Sequence, residues 1–263
     1  MDPVSDPKRN LSRSQLKLIA IFFMFLNHFS EIFLPKGTLA ADLLTGIGYF
    51  TMPVMCYLLA EGFHLTSSLR NYLMRLFVFA LLSQFPYDLA FTKDAFLTFT
   101  NLNMIYTLWI SLLLLTVHTR PFSEPLKWGL SLLLVLATIP ADWGIFAPVF
   151  TLMFYYAGNT VKARKEVWAL VVLTIGVNYA KWTAFTGPVL AAICVICFYQ
   201  SPAGNTGLMG ETSPAGNTGT AAESGTSGGT KKERASALSR WFFYLFYPLH
   251  LLLFGIIRVM MMR

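Results

Sequence analysis

Apolar runs as long as a bilayer crossing recur along this chain. Leu16 to Leu34 and Trp241 to Met262 each approach the roughly 20 residues that carry a helix across about 30 Å of hydrocarbon. In lipid every backbone N–H and C=O must be satisfied internally, which leaves helices or a closed barrel, and runs of this length select the helix. The 263 residues are 55% hydrophobic and only 13% charged, with a mean hydropathy of +0.56, more than a soluble core of this size requires. The fold class expected is therefore all-α, a polytopic transmembrane helical bundle. Hydrophobic runs place its helices near 16 to 34, 39 to 63, 69 to 90, 97 to 117, 126 to 140, 143 to 157, 166 to 180, 183 to 200 and 241 to 262, about nine spans. The first run is long, lacks a small-residue cleavage site and follows a polar Met1 to Ser14, so it reads as a retained helix and not a cleaved signal.

The net charge of +7 does not form a dense basic stripe interleaved with aromatics, which argues against nucleic acid as a partner. Most of the twenty Lys and Arg, including Lys8, Arg13, Lys17, Arg70, Arg75, Arg120 and Lys162, flank the spans on one side, while Lys36, Lys93 and Lys181 fall on the other. Because Lys and Arg translocate poorly, that split predicts a cytoplasmic N-terminus. Between Ser201 and Thr230 the composition turns to Gly, Ser, Thr, Asn, Ala and Pro, and Ser-Pro-Ala-Gly-Asn-Thr-Gly occurs at 201 and again at 213. Such a stretch buries too little apolar surface to offset its ordering entropy. The organisation expected is a cytoplasmic tail at 1–15, a helical domain at 16–200, a disordered cytoplasmic loop at 201–240 and a final helix of the same domain at 241–263. Cys56, Cys194 and Cys197 are too few for a disulfide framework, and the Cys194/Cys197 pair has neither a second pair nor a nearby His to complete a zinc site, so no metal is expected.

Ionisable and amide side chains inside apolar runs are costly unless paired or wetted, so they are the informative residues. Asn27, His28 and Glu31 lie on the first helix, Glu61 and His64 end the second, Gln84 and Asp88 lie on the third, Asn103 on the fourth, Asp142 at a helix junction and His250 on the last. At helical rise, Lys17 to His28 is about 16 Å, Arg75 to Gln84 about 14 Å and to Asp88 about 20 Å, and Arg240 to His250 about 15 Å, a convergence near the midplane. His28 and Glu31, Gln84 and Asp88, and Tyr247 and His250 each share a helix face. For any one of them an interhelical hydrogen bond is an equally good reading. His28 is the foremost candidate base, with Glu31 or Asp88 as partner, Gln84 and Asn103 as amide donors to a carbonyl or its oxyanion, and His250 as the rival base.

Several strings then occur in the order seen in TraX-like proteins. They are Met24-Phe-Leu-Asn-His28, Ala60-Glu-Gly-Phe-His64, Tyr72-Leu-Met-Arg75, Ser83-Gln-Phe-Pro-Tyr-Asp88, Leu102-Asn103-Met-Ile-Tyr, Asp142-Trp-Gly144 and Phe246-Tyr-Pro-Leu-His250. The chain resembles that family over nearly its whole length outside the insert. The resemblance implies a multi-pass protein of the bacterial cytoplasmic membrane, related to membrane acyltransferases that take acyl groups from acetyl-CoA and use a His in an early helix, here His28. It also implies a donor site at the basic cytoplasmic face, near Arg70, Arg75, Lys162 to Lys165, Glu61 and His64, with Tyr247 among the donor-binding residues and a thioester arm reaching His28. Asn27 stands where the family commonly has Asp, and Tyr49 about where it often has Arg; losing both members of a buried ion pair can be neutral.

The leading expectation is an acetyltransferase acting on an acceptor in the membrane, whether a pilin-like protein, a surface glycan or a lipid-linked sugar. A small transporter or flippase would show the same midplane polar residues and broken helices. A non-catalytic membrane scaffold would use the polar residues only to pack helices.

Overall fold

The structure is a computed structural model and describes residues 11–92, 101–158, 160–199, 201 and 229–261, with side chains of the last helix described from 242 on. The expected disordered segment at 202–228, the tail at 1–10 and the start of the fourth expected span lie outside the described residues.

Helix α1 (Arg13–Phe33) starts at a capping box: the Gln15 backbone N–H donates to the Ser12 hydroxyl at 3.3 Å, and the Ser12 N–H donates to Gln15 Oε1 at 2.8 Å. The second expected span is two helices, α2 (Leu39–Gly48) and α3 (Thr51–Leu65), broken at Tyr49 and Phe50. Pro53 lacks the N–H that would have bonded the Tyr49 carbonyl, which weakens the helix at this point. Helix α4 (Leu69–Phe91) begins at the Ser68 cap and carries Pro86 without ending. Next come α5 (Met104–Thr119), α6 (Glu124–Ala137), α7 (Phe146–Ala157) and α8 (Val161–Tyr179). A single 3₁₀ turn at Trp182–Phe185 leads into α9 (Thr186–Ile193), which widens into a π turn at Cys194–Phe198.

Helix α10 (Gly229–Met261) starts well before residue 241, inside the stretch expected to be disordered. The loop composition ends at Thr230, and Lys231 to Arg240 is rich in Lys, Glu, Arg, Ala and Leu, all good helix formers. Among the described residues there is no strand, only two isolated bridges.

Helices α2 and α3 run on in one direction as a single broken span, and contacts at both ends of the bundle show which helix ends lie together. At the near end, which bears Arg13, Arg70 and Arg120, the Leu11 N–H donates to the Phe198 carbonyl at 3.0 Å, so the chain entering α1 meets the chain leaving α9. At the far end the Asp142 N–H donates to the Leu102 carbonyl at 2.7 Å, and Lys181 pairs with Asp42 at 2.7 Å. Backbones touch where Gly46 of α2 faces Gly187 of α9 and the carbonyl of Thr183; a β-carbon at Gly46 would lie 2.1 Å from that oxygen. Helix α10 packs on α4 and α1, and α3 packs on α7.

Among the described residues four helical stretches are long and apolar enough to cross a membrane: Arg13–Phe33, Leu39–Leu65, Leu69–Phe91 and Phe242–Met261. Met104–Thr119, Phe146–Ala157 and Trp182–Phe198 are apolar but shorter. The outward faces stay apolar. Helix α6 buries only Ser131 and exposes Leu126, Leu132, Leu133 and Leu136, a surface suited to lipid and costly in water.

Candidate functional site

The break between α2 and α3, the inner face of α1 and the far ends of α4 and α10 surround a buried histidine pair. His28 Nδ1 lies 2.8 Å from His250 Nε2, and both imidazoles are buried. His250 Nδ1 is in turn 2.8 Å from the carbonyl oxygen of Phe246, one helical turn back on α10. A carbonyl only accepts, so His250 Nδ1 carries the hydrogen and its Nε2 offers a lone pair. His28 Nδ1–H must then be the donor between the rings, which leaves His28 Nε2 as the basic nitrogen of a neutral pair. The two ring planes lie within 4° of each other, and Phe91 and Tyr247 meet the His28 ring edge to face.

A small cavity of about 50 Å³ adjoins this pair, lined by Asn27, His28, Glu31, Tyr49, Tyr87, Phe91, Asp142, Trp143 and Tyr179. Two carboxyl groups, three phenols and an indole thus border a space large enough for one small polar group. Tyr49 stacks on Tyr179 with ring centroids 4.4 Å apart, and Trp143 meets Tyr49 edge to face at 5.2 Å. Trp143 and Gly144 both take left-handed backbone, φ +63° and +38°, which for Trp costs about 1–3 kcal/mol and persists only where neighbours impose it. The neighbours are the Leu102 carbonyl, which holds the Asp142 N–H, and the Thr107 hydroxyl, which donates to the Asp142 carbonyl at 2.8 Å. The main chain of Asp142 is thereby pinned on both sides while its carboxyl borders the cavity.

Glu31 and Phe91 also line a far larger vestibule, about 950 Å³, that lies at the far end of the bundle. Its wall adds Lys36, Asp42, Lys181 and Arg258 to apolar residues of α1 and α10. The His28 cavity and the vestibule therefore share a boundary at Glu31 and Phe91.

Gln84, Asp88 and Asn103 form a separate network. Gln84 Nε2 donates to Asp88 Oδ1 at 3.0 Å and to the Asn101 carbonyl at 2.8 Å; Asn103 Nδ2 donates to Gln84 Oε1 at 2.9 Å and to the Ala80 carbonyl at 2.8 Å. Asn103 Oδ1 accepts from the N–H groups of Ile105 and Tyr106 as the cap of α5. In this arrangement neither amide has an N–H left to offer an oxyanion, and the network holds the start of α5 against α4. Tyr247 links it to the histidines: its hydroxyl accepts from the Met104 N–H at 3.4 Å while its ring faces His28.

Of the residues expected around the donor, Glu61, His64, Arg70 and Arg75 lie at the near end, away from His28, whereas Tyr247 packs against His28. Glu61 is buried and fully engaged, accepting from the Tyr199 hydroxyl at 2.6 Å and the Ser201 hydroxyl at 2.5 Å and pairing with Arg13 at 3.5 Å. It ties three chain segments together instead of facing an open site. His64 stacks on Tyr155, Arg75 lies over the Tyr72 ring, and Arg70 stands at the start of α4. From Arg70 to the vestibule residues Ala90 and Phe91 is the length of α4, about 30 Å. The large cavity that borders the His28 cavity is thus at the end opposite Arg70 and Arg75.

The sequence brings His28, Gln84, Asp88 and His250 to one depth; the structure pairs the two histidines and places Gln84 and Asp88 in the separate network with Asn103. The sequence did not join Asp142 to the histidines, nor Tyr49, Tyr87, Trp143 and Tyr179. Asp142 gave a usable signal as an acid between two apolar runs, whereas a tyrosine within such a run gives none.

An all-helical fold with membrane-length helices around a buried histidine pair and its polar cavity defines the class, a helical membrane protein with a titratable interior site. The chain belongs to the TraX protein family, whose pattern it matches over residues 12–258. It is 29% identical over 250 residues to the probable fimbrial assembly protein FimC, serogroup H1, of Dichelobacter nodosus, covering 93% of this chain and 94% of that protein. No solved structure matches it.

Proposed function

We propose that this protein is a membrane acetyltransferase that moves the acetyl group of acetyl-CoA to an acceptor at the far end of the bundle, with His28 as general base. The observation that carries the reading is the hydrogen-bonded series from His28 to His250 to the Phe246 carbonyl, which sets the tautomer and leaves His28 Nε2 unprotonated beside a polar cavity. In the reaction the acceptor's nitrogen or oxygen attacks the thioester carbonyl and a new C–N or C–O bond forms. His28 Nε2 takes the acceptor's proton, the C–S bond breaks, and that proton passes to the leaving thiolate of CoA. The imidazolium formed on the way strengthens its hydrogen bond to His250 and is offset by the carboxyl groups of Glu31 and Asp142 around the cavity.

The same carboxyl groups, with the aromatic faces of Tyr49, Tyr87, Trp143 and Tyr179, favour an amine acceptor over a hydroxyl, since an ammonium is attracted by both before it gives up its proton. A pilin-like protein amine fits this chemistry and the fimbrial assembly role in the relative's name. The distribution of Lys and Arg supports a cytoplasmic near end and a chain crossing the membrane about nine times, the shorter helices included. Arg70, Arg75 and His64 then face the compartment that holds acetyl-CoA, and the vestibule faces outward. The bacterial inner membrane is the location in which these conditions meet.

A transporter or flippase draws support from the α2–α3 break and the wide vestibule. One experiment separates the two. Purified protein in detergent with acetyl-CoA and a soluble peptide bearing a free N-terminal amine releases CoA and acetylates the peptide if it is a transferase, and His28→Ala does neither. Absence of any acetyl-CoA turnover or binding by the folded wild type would reject the transferase.

A further inference from the structure

The positive-inside tendency leaves few cations at the far end, yet the three Lys and Arg that the described residues carry there, Lys36, Lys181 and Arg258, all line the one vestibule. Lys36 lies in the turn beyond α1, Lys181 in the turn beyond α8, and Arg258 near the end of α10. They approach from three separate elements. Arg258 is held in place by Nη1, which donates to the carbonyls of Ala90 at 2.7 Å and Thr92 at 3.3 Å. Lys181 donates to Asp42 at 2.7 Å, a contact that uses one of its three N–H groups. The other vestibule acid, Glu31, sits inside α1, deeper than Lys36, where the vestibule meets the histidine cavity. Charge in the vestibule is therefore graded, with cations at the entrance and a carboxyl group at the floor.

Most of the remaining wall is apolar, including Ile32, Phe33, Leu34 and Met261, and its two hydroxyls, Ser30 and Thr45, are bonded to each other at 3.1 Å. At about 950 Å³ the space is at the upper end of the range that encloses a ligand of several hundred daltons. Three cations against an apolar wall at the edge of a bilayer match an amphiphile with a compact multi-oxygen anion.

We propose that the vestibule is a phosphate-binding site for the headgroup of an anionic phospholipid, with Lys36, Lys181 and Arg258 around the phosphate oxygens and the apolar wall against the glycerol and first methylenes. The inference goes beyond acetyl transfer, and its test uses no acetyl-CoA, so failure of one does not imply failure of the other.

The experiment is lipid retention. Detergent-purified protein is incubated with equal mole fractions of phosphatidylglycerol and phosphatidylcholine, washed, and its retained lipid counted by native mass spectrometry. Phosphatidylglycerol should exceed phosphatidylcholine by about tenfold at low salt and approach parity in high salt. The double variant Lys36→Glu, Lys181→Gln should lose the preference while keeping the wild-type unfolding midpoint in lipid-free detergent; Arg258 is left intact because it also caps α4. Should that variant not fold, the wild-type preference and its salt dependence decide. Displacement of the lipid by inorganic phosphate would mean that the phosphate alone holds it, and resistance that the chains contribute; both keep the site. Equal retention of the two lipids by the wild type, or a preference that survives in the folded double variant, overturns it.

Discussion

His250 presents its unprotonated Nε2 to His28 at 2.8 Å because its other nitrogen is held 2.8 Å from the carbonyl of Phe246 on its own helix. The arrangement separates the two imidazoles into a base and the group that orients it, although by sequence depth alone they were rivals. His28→Ala removes the base and is expected to lower the rate of CoA release about a thousandfold. His250→Ala should leave His28 present but free to change tautomer, with a smaller loss of about a hundredfold in kcat and little change in KM for acetyl-CoA. Equal losses from the two, or a His250 effect confined to KM, would contradict the assignment.

Glu61 is expected to serve stability and not donor binding. Its carboxylate joins α1, α3 and the chain after α9, and breaking a buried ion-paired cluster by removing one partner costs about 3–5 kcal/mol. Glu61→Ala should lower the unfolding midpoint in detergent markedly, while the molecules that remain folded keep the wild-type KM for acetyl-CoA. A raised KM at unchanged stability would return Glu61 to the donor site.

Asn103 provides a parallel case. Asn103→Ala removes the cap of α5 and one of the two donors to the Gln84 amide oxygen, the backbone N–H of residue 103 remaining at 3.2 Å, which together should cost about 1–3 kcal/mol. Asn103→Asp keeps the cap acceptor but sets its second oxygen against the Gln84 and Ala80 carbonyl oxygens, so it should rescue little. A stable Asn103→Ala protein with specifically lost turnover would instead make the amide a catalytic donor.

Where the backbones meet, the prediction needs no chemistry at the site. Gly46→Ala would place a methyl 2.1 Å from the carbonyl oxygen of Thr183 and should not yield folded protein. Gly129→Ala, where nothing lies within 4 Å of the added carbon, should fold as the wild type, and size-exclusion in detergent reads the contrast.

Much of this architecture is legible in the sequence because lipid imposes a strong length and polarity code. The far boundaries of α1 and α4 and the turnaround at each apolar run follow from it, as does the common depth of His28 and His250. The code is silent about rotation and partners. It could not tell that Glu61, apparently facing a donor, is enclosed by Tyr199 and Ser201, because those contacts join positions far apart in the chain. Nor could it tell that Gln84 and Asn103 satisfy each other. The second span was drawn as one helix because hydropathy ignores the single N–H that Pro53 lacks, and that break is what brings Tyr49 to the histidine cavity.

Asn27 and Tyr49 line the same cavity although they come from different helices. They are the two positions at which the chain departs from the strings it resembles, and both border the one cavity. Asn27 Nδ2 donates to the Thr45 carbonyl at 3.2 Å, and Tyr49 stacks on Tyr179, so the cavity wall here is a neutral amide and an aromatic pair. Introducing one charge alone should be costly: Asn27→Asp adds a third carboxyl group beside Glu31 and Asp142, and Tyr49→Arg puts a guanidinium where the Tyr179 ring packs. Each single variant is expected to lose about 3 kcal/mol of stability, and the double variant to recover at least 1 kcal/mol of the sum. Unfolding midpoints of the four proteins in one detergent complete the cycle. Strict additivity would mean that the two positions, despite bordering one cavity, do not interact.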